Sequence, residues 1–348
     1  MKNLNILVTG AGSGVGQSII KALILSKFPC TIFPADIDHF NSFLYLSKKS
    51  VIVPKVENPK TALRWYLTQL RKLKIHVIMI GSEFDLEFFS KYKSIIEKKT
   101  NCKVCITKPS VLNISNDKYF TQEFLKKNKL PYLKTFLPKD MISAVKIFKS
   151  IKGPIILKPR KGTSSRNVFL IKNIKALKKK YKLVKNPIIQ EQIPFKKEIL
   201  KDEYTCSFFS AKEKKVIGPI ILRRKLLNGT SWITEVIKNK RIEKIVLNIA
   251  KKIDNEGPFN IQLAIGNRGP IPFEFNSRFS GTTSIRAYFG FNEPLMFLKN
   301  YVLKKKIKNP LIKKGISFRY INEIFLDDVN KNQINNKFGK GKILNLFK

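Results

Sequence analysis

The sequence predicts an α/β unit followed by an α+β unit, and three observations support this prediction. The chain has 348 residues, which is too long for one ordinary core and suits two or three packed units. Strand and helix patterns alternate through residues 1–110, as is typical of a parallel sheet covered by helices. After residue 110 strands and helices are segregated, which indicates a second unit of a different class.

The first unit is predicted from alternating apolar runs. It begins with the strand NILVTG, a glycine loop, the helix GQSIIKALILSK and the strand CTIFPADI. Two more strands follow at VIVP and HVIMIG, and two more helices at TALRWYLTQLRKL and EFDLEFFSKYKSIIEKK. The predicted order is therefore strand, helix, strand, repeated along one sheet.

The second unit opens with a helical pattern over residues 115–129, for which Asn116 or Ser115 could serve as N-cap before Pro131 stops the helix. A helix at ISAVKIFKSI and two strands around a polar turn, GPIILKP and NVFLIKN, come next. The remaining segments are four strands and a helix, closed by one more strand: NPIIQEQI, EYTCSFFS, KVIGPIILRR, RIEKIVLNIAKKI (helix), FNIQLAI and PIPFEFN.

The charge of the chain is unusual, because 68 basic and 24 acidic residues give a formal net charge of +44. Such an excess could indicate nucleic-acid binding. The basic residues are nearly all lysine and are spread along the chain, whereas a nucleic-acid reader concentrates arginine and aromatic residues in one region. We interpret the densest run, KALKKKYKLVK at 175–185, as a solvated helix face, and nucleic-acid binding stays an alternative.

The apolar and cysteine patterns predict a soluble, cytoplasmic protein. No apolar run reaches the length of about 18 residues that a membrane span needs, and residues 1–5 do not resemble a signal peptide. The four cysteines fit a reducing compartment. Cys102 and Cys105 form a CxxC without a second pair, and His39 and His76 are the only histidines, which excludes an imidazole-rich metal centre.

The glycine loop TGAGSGVG at residues 9–16 resembles the TGxxxGxG of short-chain NAD(P)-dependent oxidoreductases, with Asp36 able to take a ribose hydroxyl. Those enzymes also need a YxxxK pair, which occurs at Tyr45, Tyr181 and Tyr301. None of the three has a serine at the required upstream spacing. We therefore favour a tight strand-to-helix turn that binds nothing, and keep the oxidoreductase as an alternative.

The stretch PFEFNSRFSG at 272–281 places Glu274, Asn276 and Arg278 at intervals of two. On a strand these residues share one face, while Phe273 and Phe275 point to the other. Gln262, on a strand predicted to be adjacent, adds a third oxygen ligand to Glu274 and Asn276. Oxygen-only ligation is what magnesium prefers, so the pattern predicts a magnesium site.

A second polar region surrounds Lys158, which ends an apolar strand just before a loop of glycine and hydroxyl residues. An ammonium group beside backbone N–H and hydroxyl groups suits a triphosphate. The following strand ends in QEQI, and Glu203 could bind ribose hydroxyls. These features predict a nucleotide site between two lobes.

In this order the motifs resemble the ATP-grasp superfamily, most closely the ATP-binding halves of the carbamoyl phosphate synthetase large subunit and their single-module relatives. The resemblance covers residues 1 to about 305. It implies a Rossmann-like pre-ATP-grasp domain at 1–110 and a two-lobed ATP-grasp domain at 111–305, whose phosphate-covering lobe spans about 140–190. Residues 306–348 form a C-terminal extension outside the match.

The resemblance also implies roles for individual residues. The implied nucleotide contacts are Lys118, Lys158, Gly162, Ser164, Ser165, Glu191, Gln192, Ile193 and Glu203; the implied ligands of Mg²⁺ or Mn²⁺ are Gln262, Glu274 and Asn276; the implied catalytic residues are Lys158, Asn276 and Arg278. On chemistry and placement alone, we expect a substrate pocket to be lined by Arg223, Arg224, Ser280, Thr282 and Arg286.

The implied reaction is the ATP-dependent joining of a small-molecule carboxylate to an amine, or to a thiol, through an acyl phosphate, with ADP and phosphate as products. Two magnesium ions would assist. No membrane or specific nucleic-acid partner is expected, and a homodimer is allowed. The phosphate-covering loop departs from the family pattern at Arg166 and Asn167, where small residues are usual. A degenerate fold that binds nucleotide without turnover is a further alternative, against which Glu274 and Asn276 argue.

Overall fold

The structure is a computed structural model that describes residues 3–151, 153–162, 167–193, 200, 203–334 and 337–344. Within these ranges the strands form a five-stranded parallel sheet, a four-stranded and a six-stranded antiparallel sheet, and a pair of strands. The sequence prediction of an α/β unit followed by an α+β unit is confirmed.

The first sheet has five parallel strands in the order β3-β2-β1-β4-β5. The strands are β1 (Leu4–Thr9), β2 (Cys30–Asp36), β3 (Val51–Ile52), β4 (Val77–Ile80) and β5 (Lys103–Cys105). The helices that connect them are α1 (Gly14–Leu25), α2 (Pro59–Lys72) and α3 (Leu86–Thr100), with 3₁₀ turns at Ser42–Leu46 and Glu83–Asp85. Their buried Tyr66, Phe89 and Ile78 form one core on this sheet.

The glycine loop between β1 and α1 is closed by its own hydrogen bonds. The Gly12 N–H donates to Asp36 Oδ2 at 2.8 Å, and the Gly16 N–H donates to Ser13 Oγ at 3.0 Å. A Cβ at Gly16 would lie 2.1 Å from the Gly10 carbonyl oxygen, so the close turn itself requires glycine there. These contacts support the interpretation of the loop as a tight turn.

Two helices, α4 (Pro109–Asn116) and α5 (Lys118–Lys127), replace the single helix predicted over residues 115–129. The N-cap of α5 is Asp117, whose side chain accepts from the N–H groups of Tyr119 and Phe120. The expected caps, Asn116 and Ser115, instead end α4. The prediction of the cap is therefore wrong by one residue, because a sharp break at Asp117 starts a new helix.

A four-stranded antiparallel sheet follows in the order β6-β9-β7-β8. Its strands are β6 (Thr135–Phe136), β7 (Ile155–Pro159), β8 (Phe169–Ile171) and β9 (Pro187–Glu191). Two helices, α6 (Met141–Ile151) and α7 (Ile174–Tyr181), cover one face through a small core that includes Ile155, Leu157 and Leu177. This sheet is small and packs on its own helices.

The largest sheet has six antiparallel strands in the order β14-β13-β10-β11-β12-β15. They are β10 (Glu203–Ser210), β11 (Val216–Leu227), β12 (Thr230–Val236), β13 (Gly257–Gly266), β14 (Gly269–Asn276) and β15 (Gly315–Phe318). The sequence did not predict β12 or β15. The latter lies beyond residue 305 and forms the edge of the sheet by pairing with β12.

The two faces of this sheet differ in polarity. One face packs Phe208, Phe259 and Phe275 against helix α8 (Lys240–Lys252), whose Ile242, Val246 and Ile249 are buried. The other face carries polar side chains beside apolar ones, such as Phe209 and Leu222, that pack with residues of the first sheet. Successive side chains along a strand point to opposite faces of the sheet, so the same strands supply both faces.

The C-terminal part of the chain follows the six-stranded sheet and packs against helix α1 of the parallel sheet. Helices α9 (Thr283–Tyr288) and α10 (Glu293–Phe297) lead into a π-helical turn at Leu298–Val302, and a small pair, β16 (Ile324–Phe325) and β17 (Lys342–Ile343), follows. Ser18 on α1 donates to Ser284 Oγ at 2.9 Å, and Asn292 donates to the Ala22 carbonyl at 2.8 Å. Across the described ranges, none of the helices has the length and apolar character to cross a membrane.

Candidate active site

The polar face of the six-stranded sheet brings together residues from three adjacent strands. Gln262 on β13 lies opposite Glu274 on β14, and Asn260 lies opposite Asn276. Thr205 on β10 lies opposite Gln262. The predicted neighbourhood of Gln262, Glu274 and Asn276 is therefore a direct consequence of the strand register.

Glu274 is the centre of this group. Its Oε1 accepts hydrogen bonds from Gln262 Nε2 at 3.0 Å and from Asn276 Nδ2 at 3.1 Å. The two amides hold the carboxylate of Glu274 in place on the polar face. Phe275 points into the core behind the sheet as expected.

Phe273 departs from the expected alternation. Gln262 pairs with Glu274, but Leu263 pairs with Pro272, so that Phe273 is an extra residue in a β-bulge. Its ring packs with Leu133, Ile193 and Ile271 on the polar side of the sheet. The prediction that Phe273 points away from Glu274 is wrong, because a bulge shifts the alternation by one residue.

A deep cleft, which we call the interlobe cleft, separates the four-stranded sheet from the polar face of the six-stranded sheet. Its volume is about 930 Å³. The predicted site residues that line it are Lys118, Lys158, Gly162, Glu191, Gln192, Ile193, Glu203, Arg224, Gln262, Glu274 and Asn276. The fold thus gathers residues that are spread over more than 150 positions of the sequence around one space.

Lys158 is the residue before the end of β7 and is buried in the wall of the interlobe cleft, with 7% of its surface exposed. Burial lowers the pKa of Lys158 to about 8; the ammonium of Lys118 lowers it as well, while Glu274 acts in the opposite direction. Two lysines therefore face one carboxylate across the cleft. This arrangement leaves positive charge that an anionic ligand would satisfy.

Lys118 begins α5 and reaches the loop after β7, where its Nζ donates to the Gly162 carbonyl at 2.6 Å. The same loop is anchored by Arg160, whose Nε donates to Asp117 Oδ2 at 2.7 Å. The guanidinium of Arg160 also lies over the ring of Phe120, 4.8 Å from its centroid. The start of α5 therefore holds both Lys118 and the loop in place.

The segment of residues 191–193 ends β9 and lines the interlobe cleft. The Glu191 carboxylate accepts from the Lys134 N–H at 2.8 Å and pairs with Arg268 at 2.6 Å, so its side chain braces the segment. Buried Ile193 packs with Leu133 and Phe273 to give the cleft an apolar wall. A flat aromatic ring could lie against this wall and use the backbone of the segment for hydrogen bonds.

A second space, which we call the N-terminal cavity, lies between the loops of the parallel sheet and the polar face of the six-stranded sheet. Its volume is about 1050 Å³. It shares with the interlobe cleft a wall that includes Arg224, Gln262, Glu274 and Asn276. The two spaces are therefore adjacent.

Arg278, Ser280 and Thr282 line the N-terminal cavity rather than the interlobe cleft. Arg278 donates to the Phe279 carbonyl at 2.8 Å and lies 3.7 Å from Glu83. Arg319, which sequence reasoning missed, also lines this cavity and donates to the Gly281 carbonyl at 2.7 Å. Arg319 follows β15, and the predicted site did not extend that far along the chain.

The comparisons with known proteins agree with this geometry. The family model described as "ATP-grasp in the biosynthetic pathway with Ter operon" matches residues 197–324. The solved structure of N5-carboxyaminoimidazole synthetase from Staphylococcus aureus with ADP superimposes with a TM-score of 0.72 at 16% identity, covering 92% of this chain and 83% of that chain. The chain has the ATP-grasp fold.

Two more ATP-grasp structures are similar. Biotin carboxylase from Campylobacter jejuni in complex with β-γ-ATP gives a TM-score of 0.71 at 16% identity, covering 90% of this chain and 74% of that chain. The biotin carboxylase domain of the Hydrogenobacter thermophilus 2-oxoglutarate carboxylase, a dimer with MgADP and bicarbonate, gives 0.69 at 14%, covering 91% and 74%. No curated protein sequence matches the chain. The predicted resemblance to the ATP-grasp superfamily is confirmed.

Two predicted substrate residues lie outside both spaces of this ATP-grasp fold. Arg223 points to the opposite face of β11 from Arg224 and donates to the Leu200 carbonyl at 2.7 Å. Arg286 is completely buried and pairs with Glu293 at 3.1 Å. Neither residue lines a space in which it could contact a ligand directly. Ser164 and Ser165 lie outside the described residues.

Arg286 nevertheless reaches the N-terminal cavity through its partners. Its guanidinium donates to Asn260 Oδ1 at 2.9 Å and to Ser280 Oγ at 2.6 Å, and both of these residues line that cavity. Arg286 is therefore a positioning residue for the cavity wall. The sequence prediction placed Arg286 in the lining of the pocket, whereas its side chain lies buried behind that lining.

The chemistry of the donor set bears on magnesium. Gln262, Glu274 and Asn276 present amide and carboxylate oxygens, which are hard ligands of the kind that Mg²⁺ accepts. Only one of the three is a carboxylate, and within the described ranges no group of three or more His, Cys, Asp or Glu side chains could hold a metal ion. The set fits a cation that is also held by phosphate oxygens, as magnesium usually is in nucleotide sites.

Proposed function

We propose that the protein is an ATP- and Mg²⁺-dependent ligase that activates a carboxylate as an acyl phosphate and joins it to an amine, with ADP and phosphate as products. The observation that carries the proposal is the wall of Arg224, Gln262, Glu274 and Asn276 shared by the two spaces. Phosphoryl transfer requires the donor in one space to meet the acceptor in the other. The shared wall supports such a meeting.

The interlobe cleft suits MgATP. Its apolar wall of Leu133, Ile193 and Phe273 fits adenine, and Lys118 and Lys158 fit the triphosphate. Glu203 would bind the ribose hydroxyls, and Gly162 would approach the phosphates. The synthetase from S. aureus was solved with ADP, and the biotin carboxylase domain from H. thermophilus with MgADP, which supports the same ligand here.

The N-terminal cavity suits a carboxylate and an amine because it presents charged groups of both signs. Arg278 and Arg319 line the cavity on the side of the six-stranded sheet, as Glu274 does. The side of the parallel sheet contributes more acidic than basic residues in a chain that is otherwise basic; the lysines there are Lys55 and Lys91, and the acidic residues are Asp36, Asp38, Glu57, Glu83, Asp85 and Glu87. The arginines favour the carboxylate and its phosphorylated form, and the acidic side favours the ammonium form of the amine.

The chemistry needs no protein nucleophile. A carboxylate oxygen of the substrate attacks the γ-phosphorus, the bond from that phosphorus to the bridging oxygen breaks, and ADP leaves. The bound ammonium releases a proton, the free amine nitrogen attacks the acyl carbon, phosphate leaves with the electron pair of its C–O bond, and the nitrogen loses its second proton to give the amide. Lys118, Lys158 and Arg278 would hold and neutralise the transferred phosphoryl group. Magnesium, held by Glu274 and Asn276, would supply further neutralisation of the phosphate charge.

The oxidoreductase alternative receives less support. Among the described residues that line the N-terminal cavity beside the glycine loop, none is Tyr45, Tyr181 or Tyr301. Tyr45 is buried, and its hydroxyl donates to the His39 carbonyl at 2.5 Å. The three YxxxK pairs are therefore poor candidates for catalysis on a cofactor at residues 9–16.

Trapping of the acyl phosphate tests the proposed function directly. The protein would be incubated with MgATP, hydroxylamine and pools of small-molecule carboxylates, since hydroxylamine converts an acyl phosphate into a hydroxamate that is detected by its iron complex and by mass. We expect one pool to give a hydroxamate and an equal amount of ADP. Glu274→Ala should abolish both products, whereas Glu123→Ala, at an exposed position on α5, should leave them unchanged.

Two outcomes would contradict the proposal. ADP release that is independent of any carboxylate would indicate a simple ATPase. Failure of the protein to bind nucleotide at all would remove the ligase assignment.

We further propose a cytoplasmic location, supported by four cysteines that are all free. A homodimer remains a prediction, to be measured by light scattering.

A further inference from the structure

Gln262, one of the three predicted metal ligands, has its oxygen engaged by an arginine. Arg224 Nη2 donates to Gln262 Oε1 at 2.7 Å, while Gln262 Nε2 donates to Glu274 Oε1 at 3.0 Å. The orientation of the amide is fixed by chemistry, since a guanidinium can only donate and a carboxylate can only accept. The Gln262 oxygen therefore faces a cation that belongs to the protein itself.

Arg224 is held firmly in this position. It is 7% exposed, and its Nε and Nη2 both donate to Glu203 Oε1, at 3.0 and 2.5 Å. Moving the guanidinium away would leave Glu203 as a poorly solvated, unpaired carboxylate, which is costly. Arg224 is therefore a resident cation of the wall between the interlobe cleft and the N-terminal cavity.

A divalent cation on the Gln262 oxygen would compete with this guanidinium. Both would share one neutral amide oxygen, and the carboxylate beside the guanidinium, that of Glu203, is already paired with Arg224. Glu274 accepts its hydrogen bonds from Gln262 and Asn276 rather than from a guanidinium, and the ammonium of Lys158 acts on its carboxylate through charge alone. The hard ligands that remain for a cation are these two side chains and the phosphate oxygens.

We infer that the complex with nucleotide holds a single divalent cation, at Glu274 and Asn276, and that Arg224 neutralises the phosphate charge on the Gln262 side in place of a second metal ion. This inference rests on the proposed function, because it concerns the same nucleotide site. It removes Gln262 from the metal ligands and makes it the residue that positions Arg224. Since Arg224 lines both spaces, it can contact the phosphoryl group before and after transfer.

The number of bound cations tests the inference without any turnover. Wild-type protein would be saturated with the non-hydrolysable analogue AMP-PNP, and free Mn²⁺ would be counted by electron paramagnetic resonance during titration. We expect one Mn²⁺ per bound nucleotide. The double variant Gln262→Glu/Arg224→Met, which removes the guanidinium and replaces the amide of residue 262 by a carboxylate, should bind two.

A second measurement separates the role of Arg224. Arg224→Met alone should weaken AMP-PNP binding by about tenfold to a hundredfold, the range expected for loss of a charged hydrogen bond to phosphate. The matched control Glu123→Gln, at an exposed position of α5, should bind like the wild type. Unchanged affinity in Arg224→Met would overturn the role of Arg224.

The results also distinguish this inference from the proposed function. Two Mn²⁺ ions in the wild-type complex would overturn the single-cation inference and leave the ligase proposal in place. Absence of AMP-PNP binding to the wild-type protein would overturn both. One Mn²⁺ in the wild type and two in the double variant would support the replacement of a metal ion by Arg224.

Discussion

Lys158 shows how burial of a single residue can couple nucleotide binding to pH. Its pKa, lowered to about 8 chiefly by burial, lies below that of an ordinary lysine. In the unfolded chain the same lysine holds its proton to higher pH. The unfolded state therefore binds more protons between about pH 8 and 10.4, and the contribution of Lys158 to the stability of the nucleotide-free protein rises with pH across that window.

Nucleotide binding should respond in the opposite direction. A triphosphate needs the charged form of Lys158, so the dissociation constant of AMP-PNP should rise by up to about tenfold per pH unit above pH 8. Calorimetry between pH 7 and 9.5 would measure this change. Lys158→Arg, whose guanidinium stays charged, should flatten the profile, and a wild-type profile that is already flat would contradict the assignment.

The Arg286–Glu293 pair makes a second prediction at this scale. Both side chains are completely buried, and Ser207 donates to Glu293 at 2.6 Å. Burial raises the pKa of Glu293, while the guanidinium of Arg286 opposes that rise. Arg286→Met should reduce the free energy of unfolding by roughly 3–5 kcal/mol, because it leaves a carboxylate buried without its partner.

A double variant provides the control for that prediction. Arg286→Met/Glu293→Gln removes both charges and should recover part of the lost stability in urea denaturation. Equal stability of the single and double variants would show that the charge of Glu293 is not the cause.

Adjacent residues show what sequence can and cannot predict at this scale. Alternation along β11 means that only one of Arg223 and Arg224 can face the site, but the choice depends on the pairing of β11 with β10. Glu274, Asn276 and Gln262 could be predicted together because each sits on a clear strand. Arg319 could not, because nothing in the local sequence links it to a cavity formed by distant loops.

At the scale of elements, the junction of α4 and α5 connects stability to the site. Asp117 caps α5 and pairs with Arg160, and Lys118 beside it reaches Gly162. Asp117→Ala should reduce the free energy of unfolding by about 1–2 kcal/mol through loss of the cap and should also weaken AMP-PNP binding. Urea denaturation and calorimetry would measure the two effects.

Asp117→Asn is the matched control for this junction. Asparagine keeps a cap acceptor and loses the charge that pairs with Arg160. We expect near wild-type stability with an intermediate affinity for AMP-PNP. If both variants bind the nucleotide like the wild type, the contacts of Asp117 with the loop are not important for the site.

The strands show the same division between what was predicted and what was not. The pattern predicted β10, β11, β13 and β14 but not β12 and β15, since β15 is short and its pairing with β12 spans about 80 residues of sequence. The bulge at Phe273 also has no local signal. A period of two predicts faces correctly only as long as the strand stays regular.

At the scale of the whole molecule, the candidate site consists of the interlobe cleft and the N-terminal cavity, which share one wall. The parallel sheet supplies the acidic loops, the four-stranded sheet supplies Lys158, and the six-stranded sheet supplies Glu274. The alternation of strands and helices predicted the architecture, and the ATP-grasp resemblance anticipated the cleft. The position of the N-terminal cavity depends on packing between distant segments, such as Ser18 with Ser284, which sequence alone does not reveal.

The net charge of +44 also belongs to this scale. It would favour nonspecific association with duplex DNA at low ionic strength, through phosphate contacts that salt weakens. Such association should not depend on Glu274. Dependence on Glu274 therefore distinguishes binding at a specific nucleotide site from nonspecific electrostatic association.

Thermal unfolding with MgATP, NADPH or duplex DNA, on the wild type and on Glu274→Ala, tests the central claim most directly. A ligand at a hundred times its dissociation constant adds about 2.7 kcal/mol of stability, which shifts the midpoint measurably. We predict that MgATP stabilises the wild type and that Glu274→Ala loses most of this response. Stabilisation by NADPH without any by MgATP would contradict the account, and the polar face around Glu274 would then be scaffold.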